Sequence, residues 1–254
     1  MDAEQRRRAV DRLLPAADRA RSFSGWTFDV EVTHLGPPLP WDYEALAREH
    51  APNAGWVLDM GTGGGEVLSR VREALPAGVV ATEEWVVNAP VAYRRLRPLA
   101  VNVVRSHSLV LPFADGAFSL VLNRHEELDP EEVGRVLAPG GWLLTQQVGR
   151  DNWCELNKHF PRRNDFGDLH GEYRDGFAAA GLTVSIDRQH DYRVAFGSLE
   201  DVVHVLAVTA VWEIPAFDVE QDVEALLALE AEQQTRRGLE LTESRHVIAA
   251  RKPA

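Results

Sequence analysis

The fold is decided by one stretch of the sequence, Val57-Leu58-Asp59-Met60-Gly61-Thr62-Gly63-Gly64-Gly65-Glu66-Val67-Leu68. An apolar run ends in a carboxylate, passes through glycines and enters an amphipathic segment. This order predicts a strand, a tight loop and the beginning of a helix. Glycine lets the backbone adopt positive φ and approach a ligand closely, because it has no Cβ. The first turn of the helix adds unpaired N–H groups at the same place, so the stretch predicts a ligand-binding loop.

The spacing of the glycines bears on which ligand this loop would hold. A dinucleotide-binding fingerprint, G-x-G-x-x-G, needs its third glycine where this chain has Glu66. The spacing present is D-x-G-x-G-x-G, formed by Asp59, Gly61, Gly63 and Gly65. A glycine-rich loop alone is a weak indicator, since many such loops are only turns. The rest of the chain therefore has to decide the ligand.

The composition indicates one large globular unit. The chain has 254 residues, 45% of them hydrophobic, which is enough to bury a sizeable core. Its single cysteine, Cys154, excludes an internal disulfide framework and fits a reducing compartment. The sequence lacks an apolar run of membrane-spanning length, and its first residues are charged with no apolar segment after them. We therefore expect neither a transmembrane helix nor a secretory signal, and a cytoplasmic location.

The charge balance limits the partners that the protein could have. The net charge is −12, whereas nucleic-acid-binding proteins usually carry a basic stripe. The arginine cluster near the amino end, Arg6-Arg7-Arg8, is interpreted as the solvated face of a helix. We expect neither a nucleic acid nor an anionic membrane as the main partner, although a local basic patch stays open.

Short apolar strands alternate with helices from residue 56 onward. This alternation is typical of βαβ units and a parallel sheet with helices on both faces. We predict an α/β fold with a Rossmann-like, doubly wound, seven-stranded and mostly parallel sheet. The predicted strands are 57–60, 79–85, 101–104, 118–123, 142–148, 182–187 (with an alternative end at 194) and 246–250. The helices between them are 66–75, 88–96, 129–137 and 172–180.

Two further regions are predicted to be additions to this sheet. Residues 1–50 form a helical and irregular lid, or a segment that merely packs on the core. Its first helix is expected to end near Leu14, because Pro15 interrupts the amphipathic pattern. Residues 51–254 form the main domain. A helical insertion at about 198–236, with helices 199–209 and 219–235, precedes the last strand and could cover the site or pair two subunits as a homodimer.

Three further motifs identify a family. Glu83 ends the second strand, where a carboxylate can accept hydrogen bonds from ribose hydroxyls; NAD-binding folds share this device. Residues 111–121, Leu-Pro-Phe-Ala-Asp-Gly-Ala-Phe-Ser-Leu-Val, resemble the "LPF-DG-FDLV" signature of small-molecule methyltransferases, and residues 135–141, Arg-Val-Leu-Ala-Pro-Gly-Gly, resemble their "R-LKPGG" turn. With the glycine loop, these motifs resemble the class I S-adenosylmethionine (SAM) dependent methyltransferases. The likeness is greatest to the type 11, quinone-biosynthesis-like group and an uncharacterised bacterial branch of it.

The resemblance implies a SAM site around the glycine loop, with S-adenosylhomocysteine (SAH) as the product. Asp59 would orient the loop and bind the amino end of the methionine moiety. Gly61 and Gly63 would let the backbone pass under SAM, and Thr62 and Gly65 complete this loop.

The same resemblance implies contacts from the neighbouring strands. Glu83 would bind the ribose, with Glu84 and Trp85 beside the adenine. Family members usually carry an Asp before Leu111 that binds the adenine amino group, and here that position corresponds to His107, followed by Ser108. The backbone N–H of Ser108 could still serve the ring. At the end of the fourth strand, the resemblance places Asn123 and Arg124 under the sulfonium and at the substrate entrance.

A proton acceptor is needed only where the methyl acceptor must lose a proton. His125, just past the fourth strand, is the candidate base, with Glu126 as its neighbour, because an imidazole titrates near neutrality. The alternative is that His125 only packs in the loop or caps the next helix. No metal site is expected. The candidate ligands His125, Glu126 and Glu127 are consecutive, and consecutive residues rarely converge on one ion. Trp41, Trp153 and Trp212 could line an aromatic acceptor pocket or simply pack in the core.

Three functions remain open from the sequence. The first is a SAM-dependent methyltransferase that acts on a small-molecule acceptor through an O, N or C atom. The second is a non-catalytic SAM-binding module with a regulatory or assembly role, because the usual adenine-binding Asp is absent. The third is an RNA methyltransferase, which the acidic charge balance disfavours.

Overall fold

The structure is a computed structural model that describes residues 1–254, except for the side chains of residues 210 and 211. The described residues form eight α-helices and nine β-strands, joined by loops and short 3₁₀ turns. The helices are α1 (Ala3–Arg19), α2 (Tyr43–Glu49), α3 (Glu66–Val71), α4 (Ala89–Leu96), α5 (Pro130–Val136), α6 (Leu169–Ala179), α7 (Leu199–Glu213) and α8 (Val219–Gln233). The strands are β1 (Val32–Leu35), β2 (Trp56–Met60), β3 (Gly78–Thr82), β4 (Asn102–Val104), β5 (Phe118–Arg124), β6 (Leu137–Val148), β7 (Thr183–Phe196), β8 (Gln234–Thr235) and β9 (Gly238–Arg251).

All described strands belong to one sheet, in the order β1-β7-β9-β6-β5-β2-β3-β4, with β8 paired to β9. Strands β4, β3, β2, β5 and β6 are parallel neighbours, while β9 runs antiparallel to both β6 and β7. The α/β fold class is therefore confirmed. The predicted count of seven strands is wrong, because the sheet also contains β1 and β8.

The short length and edge positions of β1 and β8 explain why the sequence did not reveal these two strands. Strand β1 pairs only with the edge strand β7, and three of its four residues are exposed, so it carries no alternation of apolar and polar residues. Strand β8 has two residues and forms a hairpin with the start of β9. Neither strand needs an apolar face, which is the signal on which a sequence-based assignment depends.

Helices cover the two faces of the central sheet. On one face, α2, α3 and α4 pack against buried residues of β2, β3 and β5, such as Val57, Val79 and Leu120. On the other face, α5 and α6 pack against the alternate residues, such as Leu58 and Val121. Because side chains alternate along a strand, each central strand contributes to both cores.

A third apolar cluster joins the amino-terminal helix to the insertion. Leu13 and Ala16 of α1 pack with residues of α7, α8 and the outer halves of β7 and β9. Helix α1 continues through Pro15 to Arg19, so the expected end near Leu14 is wrong. Proline removes one intrahelical hydrogen bond, and the burial of its neighbours Leu13 and Ala16 offsets that loss. None of the described helices is both long and apolar enough to cross a membrane.

The register of the central strands places the predicted site residues at one edge. Met60 at the end of β2 pairs with Asn123 of β5, and Asp59 pairs with Ala81 near the end of β3. The glycine loop, the segment after β3 and the segment after β5 therefore leave the sheet side by side. In open α/β sheets this carboxyl edge is where ligands bind.

Candidate functional site

The loop between β2 and α3 has the backbone that its glycines predict. Gly61 and Gly63 have φ values of +62° and +63°, in the left-handed region. The N–H of Thr62 donates to the carbonyl of Thr82 over 2.9 Å, and the N–H of Gly61 donates to the Thr82 hydroxyl over 3.3 Å. The end of β3 therefore holds this loop against the sheet edge.

Glu83, directly after β3, faces the glycine loop. Its carboxylate accepts hydrogen bonds from the N–H of Gly63 at 2.7 Å and from the N–H of Trp85 at 2.9 Å. The side chain is only 6% exposed. Burial raises the pKa of Glu83 from 4.5 to about 7, although the two N–H groups act in the opposite direction. Glu83 thus occupies the position predicted for the ribose contact, and that contact stays a prediction.

Asp59 is a second buried carboxyl group at this edge. It is 8% exposed, and burial raises its pKa from 3.8 to about 7. The charge of Asp59 also contributes to the raised pKa of Glu83. A cation bound near both groups would lower both pKa values, because an opposite charge favours the ionised form.

Glu126 and Ser108 close the side of the crevice that faces β5. A Cβ placed on Gly61 would collide with the side chain of Glu126, so this side chain lies directly over the glycine loop. The Ser108 hydroxyl donates to Glu126 Oε1 over 2.6 Å. Burial raises the pKa of Glu126, and the Ser108 hydrogen bond opposes that change. Ser108 and Glu126, predicted as a cofactor contact and a catalytic neighbour, therefore meet at the crevice.

His107 and Glu84 lie on the outer rim of the same crevice. Their side chains are 54% and 52% exposed, and His107 Nε2 lies 3.4 Å from Glu84 Oε1. Ser108, the next residue, is 2% exposed and faces inward. The adenine contact that the resemblance implies for this loop would therefore come from Ser108, whereas His107 lies at the entrance of the crevice.

Asn123 has its side chain engaged within the protein. The Thr145 hydroxyl and the Gln147 amide donate to Asn123 Oδ1 over 2.7 and 2.5 Å. Asn123 Nδ2 donates to the backbone carbonyl of Glu126 over 3.1 Å. These bonds hold the segment after β5 in place, so Asn123 positions Glu126, and its predicted contact with SAM stays a prediction.

His125 and Arg124 have surroundings different from those of Glu126. Both side chains are exposed, and His125 has a left-handed φ of +59°. The His125 ring approaches Gln146 at the end of β6, with 3.4 Å between the Nε2 atoms. Surrounding protein atoms and the positive charges of Arg124 and Arg245 lower the pKa of His125. The two predicted catalytic residues, His125 and Glu126, thus face different partners.

One site residue, Trp26, was not predicted. A Cβ placed on Gly63 would collide with the Trp26 indole, so Trp26 lies against the glycine loop. Its ring centroid is 6.1 Å from that of Trp85 and 6.1 Å from that of Trp212. No spacing rule connects residue 26 to a loop 37 positions later. The only signal was the aromatic composition of the irregular segment 23–41.

The three tryptophans considered for an acceptor pocket lie in different environments. Trp41 and Trp153 are 9% and 6% exposed and pack in the interior. Trp41 Nε1 also donates to Gln146 Oε1 over 2.8 Å, which fixes the end of β6. Trp212 is 48% exposed and lies at the rim of the crevice beside Trp26. Of the three, Trp212 is the one placed to contact a ligand.

These features fit a nucleoside that carries a positive charge. Because Gly61 and Gly63 have no Cβ, the side chains of Glu126 and Trp26 can lie directly against their backbone, so a ligand could approach it as closely. Asp59 and Glu83 are buried carboxyl groups with raised pKa values. A cationic group bound beside them would favour their ionised forms. Glu83 would hold ribose hydroxyls, and the backbone after β4 would reach an adenine. The residues present therefore suit SAM, provided that Trp26 moves away from Gly63.

Parts of the chain are similar in sequence to two known methyltransferases. No protein-family model matches the chain. A demethylmenaquinone methyltransferase from Thermus thermophilus is 35% identical over 122 residues, which cover 43% of this chain and 54% of that protein. A 23S rRNA (guanine(748)-N(1))-methyltransferase from Streptomyces fradiae is 33% identical over 100 residues, which cover 39% of this chain and 36% of that protein. The matches thus span about half and about a third of these relatives.

Solved structures show the same fold. A Bacillus halodurans C-125 protein, described as a candidate methyltransferase, superposes with a TM-score of 0.63 and 18% identity. The superposition covers 84% of this chain and 99% of that one. At this identity the likeness concerns the fold alone, and it includes nearly the whole of the other chain.

Proposed function

We propose that this chain is a class I SAM-dependent methyltransferase that transfers a methyl group from SAM to a small-molecule acceptor. The observation that carries the proposal is the convergence at one sheet edge of the glycine loop, the buried Asp59 and the buried Glu83. The partial likeness to a demethylmenaquinone methyltransferase supports a small-molecule acceptor.

The protein's own task in such a reaction is mainly to bind and orient. SAM, when bound, supplies an activated methyl group on a positively charged sulfur. Asp59 and Glu83 would hold the cofactor through its ammonium and ribose groups, and the glycine loop would pass beneath it. Fixing two reactants in line contributes about 7–11 kcal/mol in favourable cases. Most of the expected rate enhancement therefore needs no side-chain proton transfer.

Where the acceptor must lose a proton, Glu126 is the better placed of the two candidate residues. Its carboxylate lies over Gly61 and is held by Ser108, whereas His125 approaches Gln146. A carboxyl group with a raised pKa is a stronger base once ionised. We assign the proton-accepting role to Glu126.

A binding experiment tests the cofactor. Isothermal titration with SAM, SAH and NAD should show binding of the two sulfur ligands only. The change Glu83→Ala should weaken SAH binding at least tenfold, which corresponds to about 1.4 kcal/mol. The matched control is Glu73→Ala, which removes an exposed carboxylate in the turn after α3, outside the crevice, and should leave the affinity unchanged. Binding of NAD without either sulfur ligand would refute the proposal.

A transfer experiment tests the activity. The protein would be incubated with methyl-labelled SAM and a panel of phenols, quinols and amines, and the labelled products counted after extraction. Labelled product that depends on Glu83 supports methyl transfer. Tight SAH binding with no product from any acceptor class would instead favour the non-catalytic SAM-binding module.

An RNA acceptor is the second candidate function, and the partial likeness to the 23S rRNA methyltransferase favours it. The net charge of −12 acts against it, because binding to a polyanion depends on neutralising phosphates. Methylation of a 23S rRNA fragment, with affinity that falls steeply as salt increases, would establish this alternative over a small molecule.

A further inference from the structure

Residues 23–28 lie across the glycine loop, and we call them the cover segment. Trp26 contacts Gly63, and a Cβ on Gly25 would collide with the side chain of Glu66 at the start of α3. The Gly63 N–H is in turn bonded to the Glu83 carboxylate. The cover segment and this bond together fill the space in which a nucleoside would contact the loop.

The cover segment is held mainly by side chains. Phe23 stacks on Phe28 with 4.6 Å between ring centroids, and both rings lie about 6 Å from the imidazole of the buried His204. Trp26 itself is 39% exposed, although it packs between Trp85 and Trp212. An exposed aromatic side chain keeps only part of the stabilisation that full burial would give.

The backbone of the cover segment is tied down weakly. Among the described residues, the one hydrogen bond made by the backbone of residues 24–28 runs from the Gly25 N–H to Asn88 Oδ1, over 2.6 Å. The segment lies between the 3₁₀ turn Ala20–Ser22 and strand β1, outside any helix or strand. It can therefore move without breaking the sheet or the packing of α1.

We infer that Trp26 closes the crevice of the cofactor-free protein and has to leave Gly63 before SAM or SAH binds. The inference rests on the proposed function. If Trp26 must move first, the apparent affinity for SAH is the product of two factors. These are the intrinsic affinity and the fraction of molecules with the crevice open. Truncation of Trp26 removes contacts of the closed state, so it increases this fraction and strengthens binding. A tryptophan that instead packed on the bound cofactor would give the opposite sign.

The experiment compares SAH binding to the wild type, Trp26→Ala and the matched control Trp56→Ala. Trp56 is 51% exposed at the start of β2, on the opposite edge of the sheet. Calorimetry should give a dissociation constant about fivefold lower for Trp26→Ala, equivalent to about 1 kcal/mol. It should give an unchanged value for Trp56→Ala. Trp26→Phe should lie between the wild type and Trp26→Ala, because a smaller ring keeps part of the contact.

Binding kinetics provide a second readout. In stopped-flow measurements of total tryptophan fluorescence, the observed rate for the wild type should level off as SAH increases, because opening becomes limiting. The rate for Trp26→Ala should keep rising over the same range. Thermal unfolding and circular dichroism confirm that each variant is folded.

The outcomes separate this inference from the proposed function. Clear SAH binding that is equal or weaker in Trp26→Ala than in the wild type overturns the inference and leaves the proposed function standing. Absence of SAH binding in the wild type and in all variants refutes both. Tighter binding in Trp26→Ala, with Trp56→Ala like the wild type, supports the inference.

Discussion

The Glu83 carboxylate and the Gly63 N–H, 20 positions apart in sequence, are joined by a hydrogen bond of 2.7 Å. This bond connects the end of β3 to the loop after β2, so the two segments predicted to bind the cofactor already support each other. Burial of the Glu83 carboxylate raises its pKa to about 7, although this hydrogen bond acts in the opposite direction. The same bond would have to be exchanged for ribose contacts when a nucleoside binds.

The raised pKa of Glu83 predicts how stability changes with pH. In the folded protein Glu83 keeps its proton up to about pH 7, whereas the unfolded chain loses it near 4.5. The folded state therefore binds more protons between these values, and the free energy of unfolding falls as pH rises from about 5 to 8. A shift of this size corresponds to a loss on the order of 3 kcal/mol. Glu83→Gln should reduce this slope in urea unfolding at several pH values, and an unchanged slope would contradict the assigned cause.

Gly65→Ala should destabilise the protein more than a glycine change in open space. Gly65 has φ of +80°, and an added Cβ would lie 2.8 Å from Cγ of Leu96, which is fully buried. Left-handed strain costs about 1–2 kcal/mol and overpacking adds about as much again. Gly116→Ala is the control, because Gly116 has φ of +65° but no atom closer than 3.9 Å. Urea unfolding should give a larger loss for Gly65→Ala, and equal losses would show that Leu96 moves aside.

The central α/β sheet could be predicted from sequence because its strands are buried on both faces. Leu58 and Val79, for example, belong to apolar runs that end at glycines or carboxylates. The outer strands could not be delimited in the same way. Strands β7 and β9 pair along their full lengths, so β9 begins at Gly238, eight residues before the predicted start at His246. Their outer halves pack on α1, α7 and α8, and that packing is not visible in a local pattern.

The candidate site was predictable where it depends on chain order and not where it depends on packing. The positions of Asp59, Gly61 and Glu83 follow from the ends of neighbouring parallel strands. The contact between Trp26 and Gly63 joins two regions with no fixed spacing, so only the folded structure reveals it. Likewise, the sequence places His125 and Glu126 next to each other, but a left-handed φ at His125 directs them to different partners.

Ser108→Ala should raise the pKa of Glu126. The Ser108 hydroxyl donates to Glu126 Oε1 and so favours the ionised carboxylate, and its loss leaves burial unopposed at that atom. If Glu126 accepts a proton during turnover, the acid limb of the kcat profile should move to higher pH. Ser106→Ala is the control, since the exposed Ser106 hydroxyl bonds only backbone carbonyls of its own loop. A profile that moves equally in both variants would refute a specific link to Glu126.

Replacement of His125 and Glu126 should separate their contributions to catalysis. Glu126 lies over the glycine loop and His125 approaches Gln146, so Glu126→Gln should lower kcat about 100-fold for an acceptor that loses a proton. His125→Gln should change kcat less than fivefold, because the His125 ring approaches Gln146 at the end of β6. Both variants should bind SAH as tightly as the wild type in calorimetry, which confirms that the cofactor crevice is intact. A large loss of kcat in His125→Gln with little change in Glu126→Gln would transfer the proton-accepting role to the histidine.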